Sequence, residues 1–474
     1  MKINPYLPDG VYVPDGEPHL FEGRVYLYGS HDRFGGETFC MNDYVCYSAD
    51  PSDLGSWRCE GVIYRREQDP RGKEGCLYAP DCAKGPDGRY YLYYSVSDSS
   101  VISVAVCASP AGKFEYLGDV TAEDGHVFGT GEEDPYLFDP AVLVEGTDVY
   151  LYSGSCPYRR FTETQIAYLR NHYGKNLRLF SRQMKSTHSV VMRLRSDMLS
   201  MRGTAKPLVP GAFAEKPGTF SGHEFFEASS IRKFGDTYYF IYSSKLCHEL
   251  CWASSSRPDE GFVYGGLLVS NAGRYDEERG RYETYCGNNH GSILETGGQY
   301  YVFYHRQTNR SSFSRQGCIE KIRMESGRFL PASLSSTQGE TEGAGEYPAY
   351  SACILQYDGN AGFSASRAAE GRENHPYITQ DGPDGVPGQY IANFRQGAKA
   401  VWRIFDLSGI REIAVTIRGS GVVRVGSGYA ETDSGGWREV PVPFYENEEN
   451  EIVITGEYGN VDILKIALRE GGTA

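Results

Sequence analysis

Four carboxylates and one histidine recur at nearly the same distance ahead of five similar aromatic segments. Asp15 lies ten residues before Val25, Asp81 nine before Tyr90, Asp139 ten before Val149, Glu227 eleven before Tyr238 and His290 ten before Tyr300. If the segments superpose, the five side chains converge on one place. Crowded like charges raise the cost of ionising one another, a liability that a purely structural arrangement avoids. A site that needs a protonated acid and an ionised base at fixed separation is built this way.

The segments that must position these residues are short strands. Val25–Ser30, Tyr90–Ser95, Val149–Gly154, Tyr238–Ser243 and Tyr300–His305 alternate aromatic and aliphatic residues, and each follows a turn rich in Gly or Asp. Their starts lie 65, 59, 89 and 62 residues apart. A period of about sixty, disturbed only before the fourth copy, is that of a blade repeated around an axis. The Ala-Ser motifs at Ala108-Ser109-Pro110 and Ala253-Ser254-Ser255 mark the same later strand in two blades, an independent support for the repeat.

The chain has 474 residues, enough for one large and one small domain, and its net charge of -15 argues against nucleic acid or an anionic membrane as a partner. Tyrosine is abundant, with 37 copies; most are expected to be ordinary residues of half-buried sheets. No apolar stretch of signal-peptide or membrane-spanning length is seen, so a cytoplasmic location is expected. The twelve cysteines are scattered and read as free buried thiols, and Cys247 and Cys251 lack the further ligands of a zinc site.

In chain order, residues 1–332 read as a five-bladed β-propeller. An insertion after Cys156, roughly Pro157 to Ser189, shows helical spacing around Ile166–Leu169. Residues 333–346 have the composition of a linker. Residues 347–474 lack the repeat and carry alternating strands such as Ala400–Phe405 and Glu412–Arg418, which predict a separate β-sandwich. The fold class is therefore all-β throughout.

Several motifs stand in an order that resembles glycoside hydrolase family 43, over roughly residues 4 to 330. These are Pro14-Asp15, Ala79-Pro80-Asp81, Phe226-Glu227-Ala228 and Asn289-His290-Gly291-Ser292. The resemblance implies an inverting glycosidase with Asp15 as general base, Asp81 orienting the acid and raising its pKa, and Glu227 as general acid. Glu17, followed by Pro18, is the alternative base, although the spacing favours Asp15. Glu224 competes with Glu227 but falls fourteen residues before Tyr238, outside the common range. Asp139, His290 and Asp32 are expected to bind substrate. His290 is also the candidate ligand for a metal ion, and a structural Ca2+ in the channel or the C-terminal module is the only ion anticipated; no cofactor is required. The segments Tyr377–Gly382 and Gly388–Ala392 are similar to family 6 carbohydrate-binding modules.

Inverting hydrolysis needs an undissociated acid and an ionised base with carboxyls roughly 6.5–9.5 Å apart, which leaves room for the attacking water. Opposed blades across a narrow channel can hold that separation. The family implies α-L-arabinofuranosyl or β-D-xylosyl residues of plant-derived oligosaccharides as substrates. A galactosidase on the same fold and a catalytically silent carbohydrate-binding propeller are the alternatives. A phosphorolytic enzyme would need an Arg and His cluster at the repeated position, and none stands there.

Overall fold

The computed structural model describes the whole chain except residues 1, 74, 163, 166–176, 277–280, 363–372, 446–449 and 472–474. The helical spacing expected at Ile166–Leu169 lies outside the described residues.

Blade one consists of β1 (Glu17–Phe21), β2 (Arg24–Tyr28), β3 (Tyr44–Asp50) and β4 (Asp53–Tyr64). Blade two is β5 (Leu77–Lys84), β6 (Tyr90–Val96), β7 (Ile102–Cys107) and β8 (Glu115–Asp119). Blade three is β9 (Ala141–Glu145), β10 (Asp148–Ser153), β11 (His188–Leu194) and β12 (Lys206–Pro210), with α1 (Leu177–Lys185) in its insertion. Blade four is β13 (Phe225–Phe234), β14 (Thr237–Ser244), β15 (Glu249–Ser255) and β16 (Val263–Ser270). A small ribbon of β17 (Tyr275–Asp276) and β18 (Arg281–Tyr282) precedes blade five, which is β19 (Ile293–Thr296), β20 (Gln299–Gln307) and β21 (Arg315–Ile322). Every blade is an antiparallel meander, so each connection, short or long, returns the chain to its neighbour without a crossover.

The tyrosine-rich second strands sit in the blade centres and feed five apolar layers, one between each pair of adjacent blades. Tyr28, Tyr90 and Tyr94 pack between blades one and two, Tyr93 and Leu151 between two and three, and Tyr152 and Phe240 between three and four. Tyr239 and Trp252 pack between four and five, and Leu27 and Phe303 between five and one. The ring is closed by the N-terminal segment. Asn4 donates to the carbonyl of Ile319 (2.8 Å), accepts from its N–H (2.9 Å) and donates to the carbonyl of Ser335 (3.2 Å).

After a short ribbon of β22 (Met324–Glu325) and β23 (Arg328–Phe329), the stretch read as a linker proves to be packed. Ser335, Ser336, Thr337 and Gln338 are buried, because their hydroxyls and amide satisfy backbone groups of both domains. Small polar residues gave the composition of a linker, but here they make a strap. The C-terminal domain is one hydrogen-bonded antiparallel sheet folded into a sandwich: β24 (Gly345–Pro348), β25 (Ile354–Tyr357), β26 (Tyr377–Gln380), β27 (Gln389–Arg395), β28 (Ala398–Arg403), β29 (Ile410–Val425), β30 (Gly428–Pro443) and β31 (Glu451–Glu470). Trp402, Ile413, Ile454 and Ile463 lie in its core. Among the described residues no helix is long and apolar enough to cross a membrane.

The Asn4 clasp is testable. Asn4→Ala leaves buried backbone groups unpaired and is expected to lower stability by about 3 kcal/mol in denaturant unfolding, with the activity of the folded fraction retained.

Candidate active site

The inner strands project side chains into the channel in two tiers, because alternate residues of a strand face the same side. Strand register identifies the deeper tier. Glu17 pairs with Tyr28, Asp81 with Tyr93, Ala141 with Tyr152 and Ser230 with Ile241, each three residues after the start of its aromatic run, and Ser292 exchanges hydrogen bonds with Phe303 at the same depth. The outer tier comes earlier in each blade and holds Asp15, Asp139, Glu227 and His290, with Ala79 in blade two.

Asp15 precedes β1 with a left-handed backbone, φ 58°. Its Oδ1 accepts from Arg315 Nη1 at 2.8 Å and lies 3.1 Å from His305 Nδ1. His305 is set in turn by Nε2, which donates to the carbonyl of Asn288 at 2.7 Å. Burial alone would raise the Asp15 pKa, but the guanidinium of Arg315, then His305, more than offset it and hold the carboxyl well below the usual range. Asp15 is therefore an anion.

Glu227 is half-buried in β13, and the register with β14 shifts on both sides of it. Such bulges re-aim a side chain next to a site. The following residue, Ala228, takes a φ of 66°. Burial first, then the negative charge of Asp15, push the Glu227 pKa up to about 8 against the opposing pull of Arg315. Asp139, with φ 48°, accepts the Ala228 N–H at 3.1 Å. Its carboxyl is also pushed up, by burial and by the charges of Glu227 and Asp15. Like-charge repulsion is mutual, so this pair retains a proton where Asp15 has none.

Asp81 does not do what the motif implied. It lies fully buried in the deeper tier, accepting the N–H groups of Cys82 and Val142, both at 2.8 Å, with His19 Nε2 at 2.6 Å from Oδ1. Burial would raise its pKa, yet His19 and the hydrogen bonds bring it below the ordinary value. The carboxyl coupled to Glu227 is Asp139, expected only to bind substrate. The sequence carried the signal: Asp81 stands nine residues ahead of its tyrosine run, where Asp15 and Asp139 stand ten. Glu17 is likewise a deeper-tier residue, paired with Arg232 Nη2 at 2.6 Å and pushed up to about 8 chiefly by burial. A carboxyl so placed is a poor base, and Asp15 is the better candidate.

Asp32 was expected to bind substrate but is fully buried and grips Arg315 instead. Its Oδ2 accepts from Nε at 2.9 Å and its Oδ1 from Nη2 at 3.1 Å. His290 stands between the tiers, Nδ1 3.7 Å from Asp139 and Nε2 3.8 Å from Glu17. Burial pushes its pKa down to about 4, so the ring is neutral. His290 Nε2 and Glu17 Oε1 are both buried without a hydrogen-bond partner. A neutral imidazole and a carboxylate oxygen at that spacing fit a divalent cation. Among the described residues, groups of three donors close enough to share an ion are Glu17, His19 and Asp81 in the channel and His223, Glu249 and Cys251 in blade four, and none lies in the C-terminal module.

Arg315, His305 and Asn288 were not singled out in the sequence. Arg315 opens a third strand outside the repeat. His305, however, ends a run whose counterparts end in Ser or Gly, and that break in pattern marked it. Half-buried aromatics frame the mouth: Tyr136 against Phe138, Phe138 against Tyr78, Phe226 against Tyr158, and Phe39 against Phe313 at 4.7 Å. Faces of this kind suit sugar rings.

An anionic base, a protonated acid and an aromatic mouth at the axis of a five-bladed propeller define a glycosidase. The model of "Glycosyl hydrolases family 43" matches residues 19–329, and the chain belongs to that family. It is 47% identical over 431 residues to a xylosidase/arabinosidase of Thermoclostridium stercorarium, covering 88% of this chain and 86% of that one. It is 29% identical over 314 residues to a xylosidase/arabinosidase of Bacteroides ovatus, covering 63% and 87%. A family 43 arabinoxylan arabinofuranohydrolase of Bacillus subtilis, solved with cellotetraose, shares the fold over both domains, with a TM-score of 0.50, 21% identity and coverage of 99% and 97%.

The pairing of Glu227 with Asp139 rather than Asp81 has a kinetic signature. Asp139→Asn is expected to move the alkaline limb of the kcat/KM profile to lower pH, since the neighbouring carboxyl with which Glu227 shares a proton is gone. Asp81→Asn should leave that limb in place while lowering stability.

Proposed function

We propose that the protein hydrolyses terminal β-D-xylosyl and α-L-arabinofuranosyl residues of plant-derived oligosaccharides with inversion at the anomeric carbon. One observation carries the reading: two carboxyls of one pocket hold opposite protonation states at neutral pH, Asp15 ionised and Glu227 protonated. The names of the relatives support the substrate class.

In this reading the glycone enters between the aromatic walls with its anomeric carbon between Asp15 and Glu227. Glu227 gives its proton to the glycosidic oxygen as the bond to the anomeric carbon breaks. Asp15 takes a proton from a water on the opposite face, and the remaining hydroxide oxygen bonds to that carbon. Asp15 leaves the cycle protonated and Glu227 ionised, and exchange with solvent restores both. Burial and the charge of Asp15 keep the acid protonated until substrate arrives, and Asp139, through the Ala228 N–H, fixes the backbone beside it. Arg315 and His305 hold Asp15 in place and Asp32 holds Arg315. A divalent cation, where bound, would be held by His290 and Glu17, and would supply positive charge between the tiers.

Chromogenic β-D-xyloside, α-L-arabinofuranoside and β-D-galactoside separate the substrate classes. Turnover of the pentosides is expected, with proton NMR showing the inverted anomer first. Glu227→Gln should lose about 10²–10⁴-fold in kcat/KM, least for the best leaving groups, which need no proton. Turnover of the galactoside alone would contradict the assignment. Because the acid must be protonated, wild-type kcat/KM should fall as pH rises through about 8; the acidic limb, set by Asp15, should lie below the ordinary carboxylate range.

A further inference from the structure

We infer that the C-terminal domain clamps the mouth of the catalytic pocket and that Asp384, in its loop between β26 and β27, is a positioning residue for the hydrolysis. The inference rests on the pocket and reaction proposed above.

Two propeller loops cover the Arg315–Asp15 pair, the β2–β3 loop around residues 31–43 and the β20–β21 loop around residues 308–314. They meet at Phe39 and Phe313, packed edge to face. The Arg315 guanidinium carbon lies 4.8 Å from the centre of the Phe39 ring. Both loops are fastened to one stretch of the C-terminal domain. Asp384 Oδ1 accepts the N–H of Phe34 at 2.7 Å, and Oδ2 accepts from Asn42 Nδ2 at 2.9 Å. The same Asn42 nitrogen donates to the carbonyl of Asp32 at 3.0 Å. Asn309 N donates to the carbonyl of Ile378 at 2.8 Å, and Thr379 Oγ1 to Asn309 Oδ1 at 3.0 Å. The Arg310 guanidinium lies 3.9 Å from the centre of the Tyr377 ring.

The loop from Arg33 to Asn42 contains two glycines and no regular element, so it has little stiffness of its own. Yet its ends carry Asp32 and its tip carries Phe39, which orient the Asp15 partner and roof the pocket. Asp384 ties both ends of that loop with charge-assisted hydrogen bonds. It touches neither the acid nor the base; its effect reaches the glycone through Phe39 and Asp32. The domain that resembles a carbohydrate-binding module thus has a task in the catalytic pocket even on a substrate too small to reach its own surface.

The test compares full-length wild type, Asp384→Ala, Asp384→Asn and Asn42→Asp on the small aryl glycoside that the wild type turns over best. Tyr458→Ala, at an exposed residue of the C-terminal domain, serves as the control. Asp384→Ala should raise KM about tenfold, the worth of one to two lost hydrogen bonds, with kcat changed far less. Asp384→Asn, which keeps one acceptor oxygen, should recover most of the loss. Asn42→Asp, which sets two carboxylates face to face, should reproduce the KM increase from the propeller side. Melting temperatures identify any variant that is merely unfolded, and the Asp384→Asn and Asn42→Asp pair then decides the question. Unchanged KM in folded variants would overturn the clamp, as would a KM increase of the same size in the Tyr458→Ala control. Failure on every pentoside with turnover of another sugar would count against the substrate class alone, since the variant ratios are read on whichever glycoside reacts. For a protein that only binds, the same ratios are read as Kd for xylose and arabinose.

Discussion

One guanidinium, buried between two carboxylates, sets the chemistry of this pocket. Arg315 is 2% exposed and bonds to Asp15 on one side and Asp32 on the other. Without it, burial would protonate Asp15, and the base would be lost. With it, Asp15 is a permanent anion, and that anion is one reason why Glu227 keeps its proton. The acid thus owes its proton first to burial and then to the base, and the base owes its charge to the arginine. A buried pair of this kind is costly to break, because removing one partner strands the other charge in a dry interior. Asp32, fully buried, grips that guanidinium and also accepts the N–H of Cys40 at 3.0 Å, and its burial has its reason in that constraint.

The propeller supplies the second constraint, which is depth. The side-chain period of a strand is two residues, so the channel is lined in tiers. The outer tier carries the carboxylates at the mouth. The deeper tier is neutralised internally: Arg232 meets Glu17, His19 meets Asp81, and Ser230 and Ser292 share a hydrogen bond of 2.7 Å. His290 separates the two as a neutral ring. Stacking acidic groups along one narrow axis is tolerable because each deeper carboxylate has its own partner, leaving the outer three to act on one another. Left-handed backbones at Asp15, Asp139 and Ala228 show where the chain departs from regular strand to make the outer tier converge.

Much of this was legible in the sequence. The aromatic runs fixed the number of blades, and counting back from them found Asp15, Asp139, Glu227 and His290. The same count misplaced Asp81, because tiers lie two residues apart on one face, and the bulge between Tyr78 and Asp81 that brings an offset of nine into the deeper tier cannot be seen in composition. The place beside the acid accordingly belongs to Asp139 and not to Asp81. Arg315 escaped, and Asp32 was read as a substrate contact, for another reason: their partnership joins residues 283 positions apart, and nothing local in either neighbourhood announces it. The strap after blade five misled by its Ser and Thr content. Those hydroxyls satisfy backbone groups between domains, and only the partners, not the residues, reveal it.

The central claim is that acid and base in one pocket are held in opposite protonation states before any substrate binds. Carbon-detected NMR of the side-chain carboxyls in the free enzyme tests it directly, with Glu227 and Asp15 assigned through conservative replacement. The account predicts that Glu227 titrates near pH 8 and that Asp15 stays ionised as far down the pH scale as the protein remains folded. Titration of both carboxyls together, in the ordinary range for Asp and Glu, would contradict it.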